Sequence, residues 1–141
     1  MSDIVRLHFD IDGEDLNAAG QASASVKKTL RQIGLAPEVI KKASIAMYEG
    51  EINMVIHAGG GQADVAISPQ CIQILLTDYG NGIPDVDLAM KEGYSTASDE
   101  ARRFGFGAGM GLPNMKKYTD GLKIETRVGE GTTIELTVDI A

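Results

Sequence analysis

Three scarcities narrow what this chain can be. It has one cysteine, Cys71, which excludes an internal disulfide and suits a reducing compartment. Ile72 and Ile74 follow that residue closely, so a buried structural thiol is expected rather than a reactive one. Basic charge is in short supply: 13 Lys and Arg stand against 20 Asp and Glu, and the net charge of −7 argues against nucleic acid as a partner. No apolar run approaches the roughly 20 residues of a membrane span, and no signal peptide is visible. A cytoplasmic protein with no membrane partner is therefore expected. Repeats, low-complexity tracts and linkers are missing as well. At 141 residues, the expectation is one domain, 1–141, large enough to bury a core without staples.

Glycine, by contrast, is plentiful and oddly placed. Phe104 to Leu112 reads Phe-Gly-Phe-Gly-Ala-Gly-Met-Gly-Leu, with Gly105, Gly107, Gly109 and Gly111 on alternate positions. A strand gains nothing from this, because glycine raises the entropy cost of ordering and offers no side chain to pack. A backbone that must approach a ligand closely gains a great deal. Pro113 to Tyr118 then has helical character, with Met115 and Tyr118 at i, i+3 and a Lys116-Lys117 pair. A glycine-rich loop running into a helix start suits an anion. The competing reading is a surface loop with no ligand.

The remaining elements follow from periodicity. Residues 4–11 alternate, with Val5, Leu7, Phe9 and Ile11 on one face, and His8 falls on the wetter side. Asp12 or Gly13 can cap a helix from about Glu14 to Ile33, closed by Gly34. Its stripe of Leu16, Ala19, Val26, Leu30 and Ile33 is expected to face the core, with a homodimer surface as the alternative. Pro37 opens a second helix to about His57, a residue placed to partner the helix dipole. Ala63-Val65-Ile67 and Ile72-Ile74-Leu76-Asp78 alternate as strands. Pro84 to Glu92 reads as a short acidic helix or turn, and 93–103 as a movable lid. Leu122, Ile124, Thr126 and Val128 form one strand of a closing hairpin. Thr132, Ile134, Leu136 and Val138 form the inner face of the other.

Polar residues interrupt these apolar faces. On the second helix Ile45, Ala46, Ile52 and Ile56 share a face with Glu49 and Asn53, which are neighbours at i, i+4. A carboxylate and an amide in such a stripe need partners, either a ligand or each other and nearby backbone. Glu51 falls on the opposite side and is expected to be solvated. Gly50 within the helix costs roughly 1 kcal/mol against alanine, so close packing is expected there. Asp78 ends an apolar row and precedes Gly80 and Gly82; it is either a turn cap or a carboxylate facing a pocket. Thr132 brings an inward hydroxyl to a strand start.

Glu49-x-x-x-Asn53, Asp78-x-Gly80-x-Gly82, Gly107-x-Gly109-x-Gly111-Leu112 and Gly131-Thr132 occur in that order. Together they resemble the ATP-binding fold shared by gyrase, heat-shock chaperones, histidine kinases and mismatch-repair proteins, the GHKL superfamily. Within it the chain is most similar to small anti-sigma regulatory factors and switch serine/threonine kinases of partner-switching systems. Glu92-Gly-Tyr-Ser-Thr-Ala97 and Gly111-Leu-Pro-Asn-Met-Lys-Lys117 are the stretches nearest to the switch-kinase branch. The resemblance implies an α+β fold of Bergerat type: a two-layer sandwich with a mixed, mostly antiparallel sheet and helices on one face. It implies ATP and Mg²⁺ as cofactors, with Asn53 as the metal ligand and Glu49 as the catalytic base. Asp78 would accept from the adenine amino group, supported by Thr132. Gly80 and Gly82 would give the base room, and Gly107, Gly109, Gly111 and Leu112 would hold the phosphates. Arg102 or Arg103 would reach the γ-phosphate or remain solvated.

Two functions of different class follow. One is a serine/threonine kinase acting as an anti-sigma-type regulator that phosphorylates a STAS-type anti-anti-sigma protein. The alternative is a binding module, gated by ATP, that sequesters or activates a sigma factor or a phosphatase. A lapsed site kept for dimerisation conflicts with the presence of every motif residue. A sensor histidine kinase needs a phospho-accepting histidine on a helical hairpin, and neither His8 nor His57 has room for one.

Overall fold

Five segments with an apolar residue at every second position pair into one sheet. The structure is a computed structural model that describes residues 4–14, 18–83, 86, 90 and 111–140. Its strands are β1 (Val5–Asp12), β2 (Gly60–Ile67), β3 (Cys71–Asp78), β4 (Gly121–Arg127) and β5 (Gly131–Asp139). They lie in the order β1-β2-β3-β5-β4, and all four pairings are antiparallel. Ala63, Val65 and Ile67, Ile72, Ile74 and Leu76, and Thr132, Ile134, Leu136 and Val138 are all buried on one face. The helices α1 (Gln21–Ile33), α2 (Pro37–Ala58) and α3 (Gly111–Lys117) cover that face and complete the expected two-layer α+β sandwich. On β1 and β2 the uncovered face is polar. There His8 bonds Asp64 at 2.6 Å and Asp10 at 3.3 Å, and these two carboxylates raise its pKa.

The second helix is the hub. Pro37 starts it where an amide would lack a partner in any case, and Gly59 ends it at φ 72°, a left-handed cap conformation that glycine adopts without strain. Midway, the space for a side chain disappears. A Cβ at Gly50 would lie 2.1 Å from Leu76 Cδ1 and 3.3 Å from Met115 Sδ, which is the close packing expected of that glycine. His57 occupies the last turn, but burial lowers its pKa.

Several expectations are corrected. The first helix begins at Gln21, not near Glu14, and neither Asp12 nor Gly13 caps it; Gly20 holds the cap position without a side-chain bond. Asp12 Oδ1 instead accepts the Glu14 N–H at 2.8 Å in a local turn. Ile33 is 44 % exposed at the helix end, outside the core stripe. Cys71 is half-buried, because the alternation that turns Ile72 inward turns its neighbour the other way. Val128 lies beyond the end of β4, in the turn, and is exposed.

Glu51 carries the largest correction. It is 2 % exposed rather than solvated. Its Oε2 accepts the N–H groups of Gly20 and Ala22 at 2.9 and 3.2 Å, and Oε1 accepts that of Ser23 at 2.9 Å. First-turn amides have no partners within their own helix, and α1 has no capping side chain. A carboxylate from α2 supplies the cap from outside, in the position that a helix N-terminus favours for negative charge. A helical wheel shows only one side of α2, whereas α2 is covered by the sheet, by α1 and by α3.

Glu51→Ala leaves these amides buried without an acceptor. It is expected to lower stability by about 3 kcal/mol, roughly 10 °C in melting temperature. Thermal denaturation followed by circular dichroism measures this, and a shift under about 2 °C contradicts the capping role.

Candidate functional site

Of the motif residues that fall on described elements, Glu49, Asn53 and Gly111 meet where α3 packs on α2. The α3 helix docks against it in an antiparallel register fixed by three contacts. At one end, a Cβ on Gly111 would sit 2.9 Å from Asn53 Oδ1 and 3.0 Å from Nδ2, so the missing side chain leaves room for the Asn53 amide. In the middle, Met115 Sδ packs at Gly50. Beside it, Asn114 Nδ2 donates to Glu49 Oε1 at 3.4 Å. Glu49 and Asn53 are both half-buried, so each has protein on one side and access on the other. They do not bond each other in place of outside partners.

The second half of the site is built at the ends of strands. Register sets Asp78 directly opposite Thr132. Asp78 Oδ1 accepts two backbone N–H groups, from Gly80 and Thr132, each at 3.1 Å. Both donors reach the same oxygen, which fixes the carboxylate and leaves Oδ2 without a bond among the described residues. The expected turn-capping role and the inward direction therefore hold together in one side chain. Thr132 Oγ1 bonds Thr126 Oγ1 at 2.8 Å, and Thr126 Oγ1 accepts the Ile83 N–H at 2.8 Å, which ties the loop after β3 to the last hairpin.

Gly80 packs against the C-terminal end of α2. A Cβ there would lie 2.8 Å from Ala58 Cα and 3.5 Å from Asp78 Oδ1. Ala58 follows Asn53 by about 7.5 Å along the helix, at 1.5 Å per residue. Gly82 packs instead against the Arg127 carbonyl, 2.5 Å from where a Cβ would be. Leu112 is buried in the core, so it can offer a ligand only its backbone. An open groove of about 570 Å³ includes Asp78, Thr126 and Thr132. It also takes in Glu125, Arg127 and Thr133 and does not extend to Glu49 or Asn53, so it is not the space beside α3.

Gly107, Gly109, Arg102, Arg103 and the 93–103 lid lie outside the described residues. Of the 84–92 stretch only Val86 and Met90 are described, and the Met90 N–H donates to the Val86 carbonyl at 2.9 Å. Two residues escaped sequence reasoning, Glu51 and Asn114. Each acts across a helix–helix contact, which no spacing within one helix reveals. The donor set suits a nucleotide with a hard cation: an amide oxygen in a cleft that a Cβ would fill, and a carboxylate oriented by two backbone donors.

Gly111→Ala puts a methyl group against the end of a side chain, which can yield. Stability is expected to fall by about 1 kcal/mol or less, while affinity for ATP with Mg²⁺ falls roughly tenfold as the Asn53 amide is displaced. Calorimetric titration beside a melting curve tests this; equal affinity in the two proteins contradicts it.

Comparison with known proteins bears on the family and the fold. The sequence profile described as histidine kinase-, DNA gyrase B-, and HSP90-like ATPase matches residues 38–141. The chain is 30 % identical over 125 residues to the serine/threonine-protein kinase RsbT of Bacillus subtilis, covering 86 % of each. It is 31 % identical over 119 residues to the anti-sigma F factor of Clostridium novyi, covering 80 % of each. Among solved structures, the RsbU and RsbW domains of a Mycobacterium tuberculosis protein align with a TM-score of 0.64 at 20 % identity, over 95 % of this chain and 32 % of that one. That last likeness is one of fold. The chain belongs to the family of histidine kinase-, DNA gyrase B- and HSP90-like ATPases.

Proposed function

We propose that this protein is an ATP- and Mg²⁺-dependent serine/threonine kinase that phosphorylates a small STAS-type anti-anti-sigma partner in the cytoplasm, with residues 1–141 working as one domain. The observation that carries the reading is the pair Glu49 and Asn53, half-buried on α2 and facing the helix that starts at Gly111. Similarity to a serine/threonine kinase and to anti-sigma F factors supports the choice of acceptor class.

When bound, ATP with Mg²⁺ supplies the transferable phosphoryl group and the metal that neutralises its charge. Asn53 would hold the metal through its side-chain oxygen, a hard donor suited to Mg²⁺. Asp78, with Oδ1 occupied by the Gly80 and Thr132 amides, would use its remaining oxygen to accept from the adenine amino group. Thr132 would support that contact through its hydroxyl. Gly80 and Gly82 would leave space at the base. The backbone of Gly107, Gly109, Gly111 and Leu112 would hold the phosphates. Glu49 would take the proton from the attacking serine or threonine hydroxyl. Positioning and charge neutralisation carry most of the catalysis in phosphoryl transfer, so this short set is sufficient. Phosphorylation would add nearly two negative charges to the partner's surface and release it.

The test uses γ-labelled ATP, Mg²⁺ and each STAS-domain protein of the same genome in purified form. Wild type is expected to label one of them. Glu49→Gln is expected to slow labelling at least about 100-fold, with ATP affinity within about threefold. Labelling at the wild-type rate by Glu49→Gln removes the base assignment. ATP-dependent capture of a sigma factor or phosphatase, with every partner unlabelled, replaces the kinase by the gated binding module.

A further inference from the structure

The α3 helix meets α2 through Gly111, Asn114 and Met115, positions i, i+3 and i+4 on one helix face. Gly111 makes room for Asn53, and Met115 fills the notch at Gly50. Asn114 does neither. Its amide nitrogen points at Glu49 Oε1, 3.4 Å away, in a partly buried setting. We infer that Asn114 is a positioning residue for Glu49: it donates one hydrogen bond to Oε1 and so turns Oε2 toward the reacting hydroxyl. The inference rests on the reading of Glu49 as the base.

The chemistry of the pair favours this role over simple packing. A side-chain amide donates but is not basic, so Asn114 can orient the carboxylate without competing for the proton. A cation in its place would hold Glu49 more strongly but would also weaken it as a proton acceptor. The separation is long for a hydrogen bond, and catalytic bonds are often long before substrate is bound and shorten afterwards. Asn114 is only three residues past Gly111, on the same helix face. One short helix therefore touches both the metal ligand and the base.

Two substitutions separate orientation from packing. Asn114→Leu keeps the bulk and removes the donor. Asn114→Asp keeps the shape and sets a negative oxygen against the carboxylate. With whichever STAS-domain protein the wild type labels as acceptor, kcat is expected to fall about tenfold in Asn114→Leu and about 100-fold in Asn114→Asp. KM for ATP should stay within about twofold in both. A packing role predicts the reverse ranking, because aspartate is the better fit by shape. Unchanged kcat in both variants, or KM rising in step with the loss, overturns the inference.

A second measurement needs no turnover. In the wild-type protein the Asn114 side-chain amide protons should show a hydrogen-bonded NMR shift, and Glu49→Ala should move them toward the position of a free amide. If wild type labels no acceptor, the kinase reading falls and the catalytic part of the inference falls with it. The amide shift still decides the contact, and its insensitivity to Glu49→Ala overturns that as well.

Discussion

The second helix lies so near the sheet at Gly50 that no side chain fits between them, and the placement of the site follows from that contact. A methyl group there would meet Leu76 inside van der Waals range, and Leu76 is 1 % exposed in a packed core. The neighbours of such a core cannot shift far without strain, which commonly costs about 1–3 kcal/mol. The roughly 1 kcal/mol that alanine would return in helix propensity is the smaller term. With the depth of α2 fixed, Met115 enters the same notch from the other side. Glu49 and Asn53 then face α3 at set heights.

Two glutamates two residues apart on α2 have opposite fates, and their neighbours decide which. Glu51 meets the uncapped first turn of α1 and gives its oxygens to the amides of Gly20, Ala22 and Ser23. It joins two helices and is spent as a structural group. Glu49 points at α3 and receives one long bond from an amide. It keeps lone pairs and solvent access, which a proton acceptor needs. Residue type does not distinguish the two; the donors around them do.

Much of the fold was legible because it rests on short-range periodicity. The inward rows of β2, β3 and β5 can be read directly from alternation, as can the direction of Asp78 and Thr132. The misreadings have a common physical origin. A helical wheel assumes one buried side and so puts Glu51 in water, while α2 is packed on several. Asp12 resembles a cap and points to an early start for α1, yet the cap comes from Glu51, far along the chain. Asn114 was within a recognised stretch but had no role until the register of α3 on α2 paired it with Glu49. In each case the missing information was a contact between helices. The glycines behave differently: Gly50 and Gly111 were noticeable by type, and the structure supplies their reasons, one against Leu76 and one beside Asn53.

The proposed function needs one nucleotide to reach both the strand-end carboxylate of Asp78 and the helix amide of Asn53. The most direct measurement is a crystal structure with a non-hydrolysable ATP analogue and Mg²⁺. The account predicts the purine amino group at Asp78 Oδ2 and the metal on Asn53 Oδ1. An analogue lying in the open groove beside Glu125 and Arg127, with Asn53 away from the metal, would contradict it.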